Sequence, residues 1–139
     1  MIGTMPFLIL LGGDLDPTPR LLRQIAGART IAADGGIRHA EPLGVRPELW
    51  VGDFDSSGSD MAAAWRDVPR QSHPPAKDMT DGELAAAEAI ARGASGLVIA
   101  GVFGGERSDH AMGNLLQGAA LRARGIPVLM TSGDEEGWP

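Results

Sequence analysis

The chain has 139 residues, enough for one domain with its own hydrophobic core, and 43% of them are apolar, as expected of a soluble globular protein. A net charge of −6 without a dense basic stripe argues against a nucleic-acid binder. The absence of cysteine excludes disulfides, thiolate catalysis and Cys-type zinc sites.

No apolar run reaches membrane-spanning length, and no basic segment precedes an apolar core at the start of the chain. The expectation is therefore a cytoplasmic protein with neither a membrane nor a nucleic-acid partner. An acidic protein that binds a polyanion must rely on local devices: backbone amides, a few Arg or Lys side chains, and metal ions.

Pro6 to Leu11 is a short apolar run that reads as a buried strand, ending in the slim turn Gly12-Gly13-Asp14. Asp16-Pro17 has the pattern of an N-cap followed by proline in the first helical turn, and the helix is expected to run to about Ala26, with Gly27 as its stop. Strand, glycine turn and helix together open a parallel α/β sheet. A second unit follows, with a strand from Thr30 to Ala33, the turn Asp34-Gly35-Gly36, and a short helix from Ile37 to Leu43 closed by Gly44.

Pro47 precedes the third strand, Leu49 to Val51. The stretch Val51-Gly52-Asp53-Phe54-Asp55-Ser56 then becomes the pivot of the chain. Asp53 and Asp55 stand two residues apart, so in extended backbone both carboxylates project to one side. Two adjacent carboxylates repel, and Mg2+ with its preference for hard oxygen ligands is one way to compensate them. The alternative is a polar loop whose Asp and Ser cap the next helix. Open α/β sheets bind ligands beyond the carboxyl ends of their strands. Gly12-Gly13, Asp34-Gly35-Gly36 and Gly52-Asp53 all fall at such ends, which favours one shared crevice over three local coincidences.

Ser59 to Arg66 reads as a helix, and Arg70 to His73 as a short edge strand within the proline-bearing segment Pro69 to Pro75. Thr80 with Glu83 forms a capping-box pattern ahead of an alanine-rich helix to about Arg92, stopped by Gly93. Asp81 in the first turn complements the helix dipole. Lys77 and Asp78 are not accounted for by capping, and a cation beside carboxylates at a helix start suits a phosphate and metal station.

Gly96 to Val102 is the most apolar strand. Gly104-Gly105-Glu106-Arg107-Ser108-Asp109-His110 follows it, with an Arg well suited to phosphate at a glycine-rich loop. Met112, Leu115 or Leu116, Ala119 and Ala123 line one face of the next helix, and Ile126 to Met130 is the last strand. Residues 1–131 are thus expected to form the α/β domain. The acidic, unpatterned tail, 132–139, is expected to be a linker or the start of a further region.

Five stretches in register resemble the catalytic domain of thiamine pyrophosphokinases (thiamine diphosphokinases). They are Ala33-Asp34-Gly35-Gly36, Gly44-x-x-Pro47, Gly52-Asp53-Phe54-Asp55-Ser56, Lys77-Asp78-x-Thr80-Asp81, and Gly104-Gly105-x-Arg107-x-Asp109-His110 with Asn114 beyond. The family usually reads Gly-Gly-Arg-x-Asp-His at the last of these, and here Glu106 lengthens the loop by one residue.

The resemblance implies a Rossmann-like, three-layer α/β domain with a mostly parallel sheet of about six strands. It also implies a β-sandwich domain in the family that this chain ends before, and a homodimer in the full-length protein. The implied reaction moves a pyrophosphoryl group from ATP to the hydroxyl of thiamine and releases AMP.

By the same resemblance, Asp53 and Asp55, with Asp78 or Asp81, hold Mg2+, and Lys77 and Arg107 neutralise charge on the transferred group. Asp109 positions Arg107 or the helix start, and Asp78 or Asp81 is the general base. Gly12, Gly13, Asp34, Gly35 and Gly36 line the nucleotide site with backbone amides near phosphate. Ser56, Thr80, His110 and Asn114 complete the nucleotide-binding set. Two alternatives stand beside this: a pyrophosphokinase acting on another acceptor such as 6-hydroxymethylpterin, and an ATP-binding module inactive without a further domain.

Overall fold

The structure is a computed structural model that describes residues 6–13, 15–52, 63–72, 81–101, 125–131 and 136–137, with the backbone alone for Asp34, Ser72, Asp81, Glu136 and Gly137. Among the described residues seven strands form one sheet: β1 (Pro6–Leu10), β2 (Arg29–Ala33), β3 (Leu49–Gly52), β4 (Arg70–Ser72), β5 (Gly96–Ala100), β6 (Val128–Thr131) and β7 (Glu136–Gly137). Their spatial order is β4-β3-β2-β1-β5-β6-β7. The first six are mutually parallel, and β7 pairs with β6 antiparallel. The described helical segments are α1 (Pro19–Gln24), a 3-10 turn (Asp34–His39) running into α2 (Ala40–Leu43), and α3 (Asp81–Ala91).

Strand alternation sends successive side chains to opposite faces, and both faces are covered, so the strands are apolar throughout. Phe7, Ile9, Ile31, Val51, Leu97, Ile99, Val128 and Met130 face one layer, where Ala85, Ala86 and Ala89 of α3 pack on them. Leu8, Leu10, Ala32, Trp50, Val98, Ala100 and Leu129 face the other, under Leu21 and Ile25 from α1 and Ile37, Ala40 and Leu43 from the 3-10 turn and α2. The three buried alanines bring the α3 axis close to the sheet, which a row of larger residues would prevent. The result is the three-layer α/β architecture expected.

Several local boundaries differ from the reading of the sequence. The first helix is capped by Thr18, not Asp16: Thr18 Oγ1 accepts a hydrogen bond from Leu21 N at 3.2 Å, and Pro19 opens the helix. Asp16-Pro17 and Thr18-Pro19 carry the same signal, but a residue before proline is pushed out of the helical region. Thr18 sits at φ −72°, ψ 157°, so no helix begun at Pro17 passes through it.

The second helix begins at Asp34 as a 3-10 turn, three residues before Ile37. The final strand is shifted to Val128–Thr131. The tail, read as unpatterned, contributes Glu136 and Gly137 as an antiparallel edge beside Thr131 and Met130. A two-residue pairing of backbone groups leaves no side-chain periodicity to detect. Of the helix expected over Ser59–Arg66, Ala63 and Ala64 are helical, and the rest up to residue 62 lies outside the described residues. The helix expected around Met112 to Ala123 lies wholly outside them.

Candidate active site

The chain steps from β1 outward through β2 and β3 to β4, then returns to β5 on the other side of β1. The connections leaving β1 and β5 therefore diverge. This is the topological switch point, where an open parallel sheet leaves a crevice beyond its strand ends.

The register specifies which residues reach that edge. Leu10 lies beside Ala32 and Ala100, Ala33 beside Val51, and Gly52 beside Ser72. Gly12-Gly13, Asp34-Gly35-Gly36 and Gly52 thus emerge from neighbouring strands spaced about 4.8 Å apart. α3 packs over β1, β2 and β3 and leads into the parallel strand β5, so it runs against the strands and starts at their carboxyl edge. Its first residue is Asp81. The carboxyl end of β3, at Gly52, and the start of α3, at Asp81, therefore lie at one edge of the sheet.

The floor of the crevice is locked by backbone contacts. Leu11 N donates to Ala100 O at 2.8 Å, Gly13 N to Gly101 O at 2.8 Å, and Gly101 N to Thr131 O at 3.1 Å. The Gly13 amide is therefore spent inside the protein. A Cβ on Gly101, which has φ +82°, would overlap the Leu11 carbonyl, and a Cβ on Gly36 would overlap the Leu10 carbonyl. These two glycines let three connections close on one another.

The opposing side of the turn is held from the 3-10 segment. Arg38 Nη2 donates to Gly12 O at 2.8 Å and lies 3.4 Å from Gly13 O. His39 Nε2 lies 2.8 Å from Gly13 O. A carbonyl only accepts, so His39 carries its proton on Nε2. Neither residue stood among those the sequence singled out. The available signal was position: both follow the Asp34-Gly35-Gly36 turn within one helical turn, where a side chain folds back over the strand end.

Of the expected site residues, Gly12, Gly13, Asp34, Gly35, Gly36 and Asp81 lie at this edge. Asp53, Asp55, Ser56, Lys77, Asp78, Thr80, Arg107, Asp109, His110 and Asn114 lie outside the described residues. Trp50 is fully buried on the α1 side of the sheet, and the Arg70 guanidinium stacks 5.0 Å from its ring centre. Trp65 is partly buried beneath Arg46. Among the described residues no tryptophan offers an open wall to a flat ligand.

A shallow groove of about 340 Å3, lined by Leu22, Ile25, Gly27, Ala28, Leu43 and Arg46 among others, opens at the amino end of β2. It is at the opposite end of the sheet from the crevice, and of the five motifs Gly44-x-x-Pro47 borders it, through Gly44, Val45 and Arg46. That same end carries an ion cluster. Glu48 accepts from Arg29 Nε and Nη2 and from Arg92 Nη1, each at 2.6 Å, and Arg92 Nε is 3.6 Å from Glu88. The bonds from Arg29 lead in holding the Glu48 carboxyl below its ordinary pKa, with Arg92 adding to the effect against partial burial.

The residues that the sequence assigns to Mg2+, Asp53, Asp55, Asp78 and Asp81, are all carboxylates, the hard oxygen ligands that this ion prefers. Of the four, the structure describes Asp81 alone, at the start of α3.

The family model described as "Thiamin pyrophosphokinase, catalytic domain" matches residues 23–130. A thiamine pyrophosphokinase structure from Bacillus subtilis is similar, with TM-score 0.77 and 24% identity over 91% of this chain and 60% of that one. The thiamin pyrophosphokinase of Geobacillus thermodenitrificans gives TM-score 0.74 and 28% identity over 91% of this chain and 59% of its own. The yeast thiamin pyrophosphokinase shares the fold at 15% identity, with TM-score 0.68. No curated protein sequence matches the chain. The chain spans about 60% of the first two structures.

Proposed function

The chain belongs to the thiamin pyrophosphokinase catalytic-domain family, and we propose that it serves ATP-dependent transfer of a pyrophosphoryl group to the hydroxyl of thiamine, giving thiamine diphosphate and AMP. The observation that carries this reading is the family match over residues 23–130. The glycine turns after β1 and β2, beside the switch point, and the start of α3 at the same edge of the sheet support it.

In this reading the thiamine hydroxyl oxygen forms a bond to the β-phosphorus of ATP. The bond from that phosphorus to the α–β bridging oxygen breaks, and AMP leaves with the electron pair. The hydroxyl proton passes to a carboxylate, Asp78 or Asp81. Positioning and charge neutralisation supply most of the rate in such transfers. Lys77 and Arg107 act on the transferred group. Asp53 and Asp55, with Asp78 or Asp81, would hold Mg2+, which when bound neutralises polyphosphate charge. Gly12, Gly13 and the Asp34-Gly35-Gly36 turn line the nucleotide side.

A second reading has an observation of its own. The chain spans about three fifths of the structures it resembles, and its described tryptophans are buried or covered. Thiamine, a flat cation, calls for an aromatic or apolar wall beside negative charge. These residues would then form the ATP-binding part of the enzyme, and the acceptor site would be completed elsewhere, in the proposed homodimer or in sequence beyond this domain. AMP formation measured with thiamine, with 6-hydroxymethylpterin and without acceptor separates the possibilities. AMP released only with thiamine supports the first reading. Release with the pterin would redirect the acceptor, and ATP binding without turnover supports the second.

A further inference from the structure

We propose that Arg38, outside the motifs of the site, is a polyphosphate-binding residue of the crevice; this rests on the nucleotide reading above. Its anchoring distinguishes it from the arginines of the ion pairs at 29, 46 and 92. Arg29 and Arg92 share Glu48, and Arg46 lies 3.7 Å from Asp67, so each of their charges faces a carboxylate. Arg38 instead donates from Nη2 to the main-chain carbonyls of Gly12 and Gly13.

A carbonyl orients a guanidinium without cancelling its unit charge. Arg38 is exposed, and among the described residues no carboxylate pairs with it. Its Nε and Nη1 make no bond to the described residues, and each can donate to a phosphate oxygen. The side chain is thus anchored beside the β1 turn, at the carboxyl edge of the sheet, in a chain of net charge −6.

The local backbone explains how it gets there. Gly36 lets the 3-10 turn lie directly on the Leu10 carbonyl, and this close approach brings residue 38 within reach of the β1 turn. The His39 bond to Gly13 O fixes the same turn from beside it. Holding the two glycine carbonyls on the Arg38 side puts a cation beside the β1 turn, where the nucleotide phosphates would lie. An acidic protein needs such a device to bind a polyanion.

The test uses Arg38→Gln, which keeps an N–H for Gly12 O while removing the charge, together with Arg38→Lys and Arg38→Ala. Affinities for Mg·ATP, tripolyphosphate and adenosine are measured by calorimetry, and melting temperature reports folding. Losing one charge-assisted contact predicts about tenfold weaker Mg·ATP and tripolyphosphate binding in Arg38→Gln, with a shallower salt dependence. Adenosine affinity and melting temperature should stay near wild type, and Arg38→Lys should recover part of the loss.

Equal Mg·ATP affinity in wild type and Arg38→Gln overturns the Arg38 assignment and leaves the nucleotide reading standing. A proportional loss of adenosine affinity also overturns it, because the residue would then act only by shaping the turn. A wild-type chain that binds tripolyphosphate but shows no preference for Mg·ATP overturns the nucleotide reading itself.

Discussion

Gly36 packs its α-carbon against the main-chain carbonyl of Leu10, with no room for a side chain between them. The contact joins the turn after β2 to the end of β1, the strand at the centre of the sheet. Gly36→Ala therefore pushes backbone against backbone, and neither side can yield as a flexible side chain would. We expect a loss of roughly 3 kcal/mol or more, the range of overpacked or strained buried positions. Gly35, its neighbour, has nothing within 4 Å of the place where a Cβ would project. Gly35→Ala should stay within about 0.5 kcal/mol of wild type. Urea unfolding of the two proteins checks the contrast, and equal midpoints would show that the approach at Gly36 relaxes at little cost.

The Glu48 cluster predicts a pH dependence of stability. Its folded pKa is lowered, first by the hydrogen bonds from Arg29 and then by those from Arg92. Folding therefore favours the ionised carboxylate. This contribution is complete above the ordinary Glu pKa and is lost as pH falls through the lower, folded value. Glu48→Gln should remove that part of the acid sensitivity. After allowance for solvent screening, it should cost about 1–2 kcal/mol at neutral pH. Melting curves of both proteins from neutral to acid pH should converge at the acid end, and parallel curves would place the acid sensitivity elsewhere.

Asp53 follows directly on Gly52, the last residue of β3. If it is a ligand of the proposed metal site, Asp53→Asn costs turnover far more than folding. Removal of one charged ligand from a metal–phosphate site weakens transition-state stabilisation by on the order of 3 kcal/mol, or more than a hundredfold in rate. Pyrophosphoryl transfer, assayed in a form with full activity, should fall accordingly while the melting temperature stays near wild type. Near wild-type transfer by a folded Asp53→Asn protein would sink the assignment.

Arg107 tests the lengthened glycine loop. Where it contacts polyphosphate, Arg107→Lys remains damaging, because a point charge cannot reproduce a bidentate fork. Where Glu106 has redirected it, even Arg107→Ala leaves ATP affinity and turnover unchanged. We expect the first outcome, with at least a tenfold loss in Arg107→Lys, as for a charge-assisted bond lost. The same titrations locate the acceptor site: this chain should bind Mg·ATP and bind thiamine weakly. Tight thiamine binding to a monomeric preparation would show that the α/β domain holds the acceptor by itself.

Much of the architecture lay in local chemistry. Continuous apolar runs at Pro6–Leu10 and Gly96–Ala100 announce strands covered on both faces, and glycine at 27, 44 and 93 stops the helices at positive φ. Acid-and-glycine turns at three strand ends point to a crevice because a parallel sheet puts all its carboxyl ends on one edge. Other features depended on contacts distant in sequence. Two equivalent cap-and-proline pairs precede α1, and the structure selects the second, with Thr18 extended ahead of Pro19 and its hydroxyl accepting from Leu21 N. Strand order is a matter of which faces bury which partners, so the position of β5 beside β1, and with it the switch point, emerges only in three dimensions. Arg38 illustrates the same limit. In sequence it is one cation in a helical segment, whereas its anchoring to Gly12 and Gly13 requires β1 and the turn after β2 to meet across 26 residues of chain.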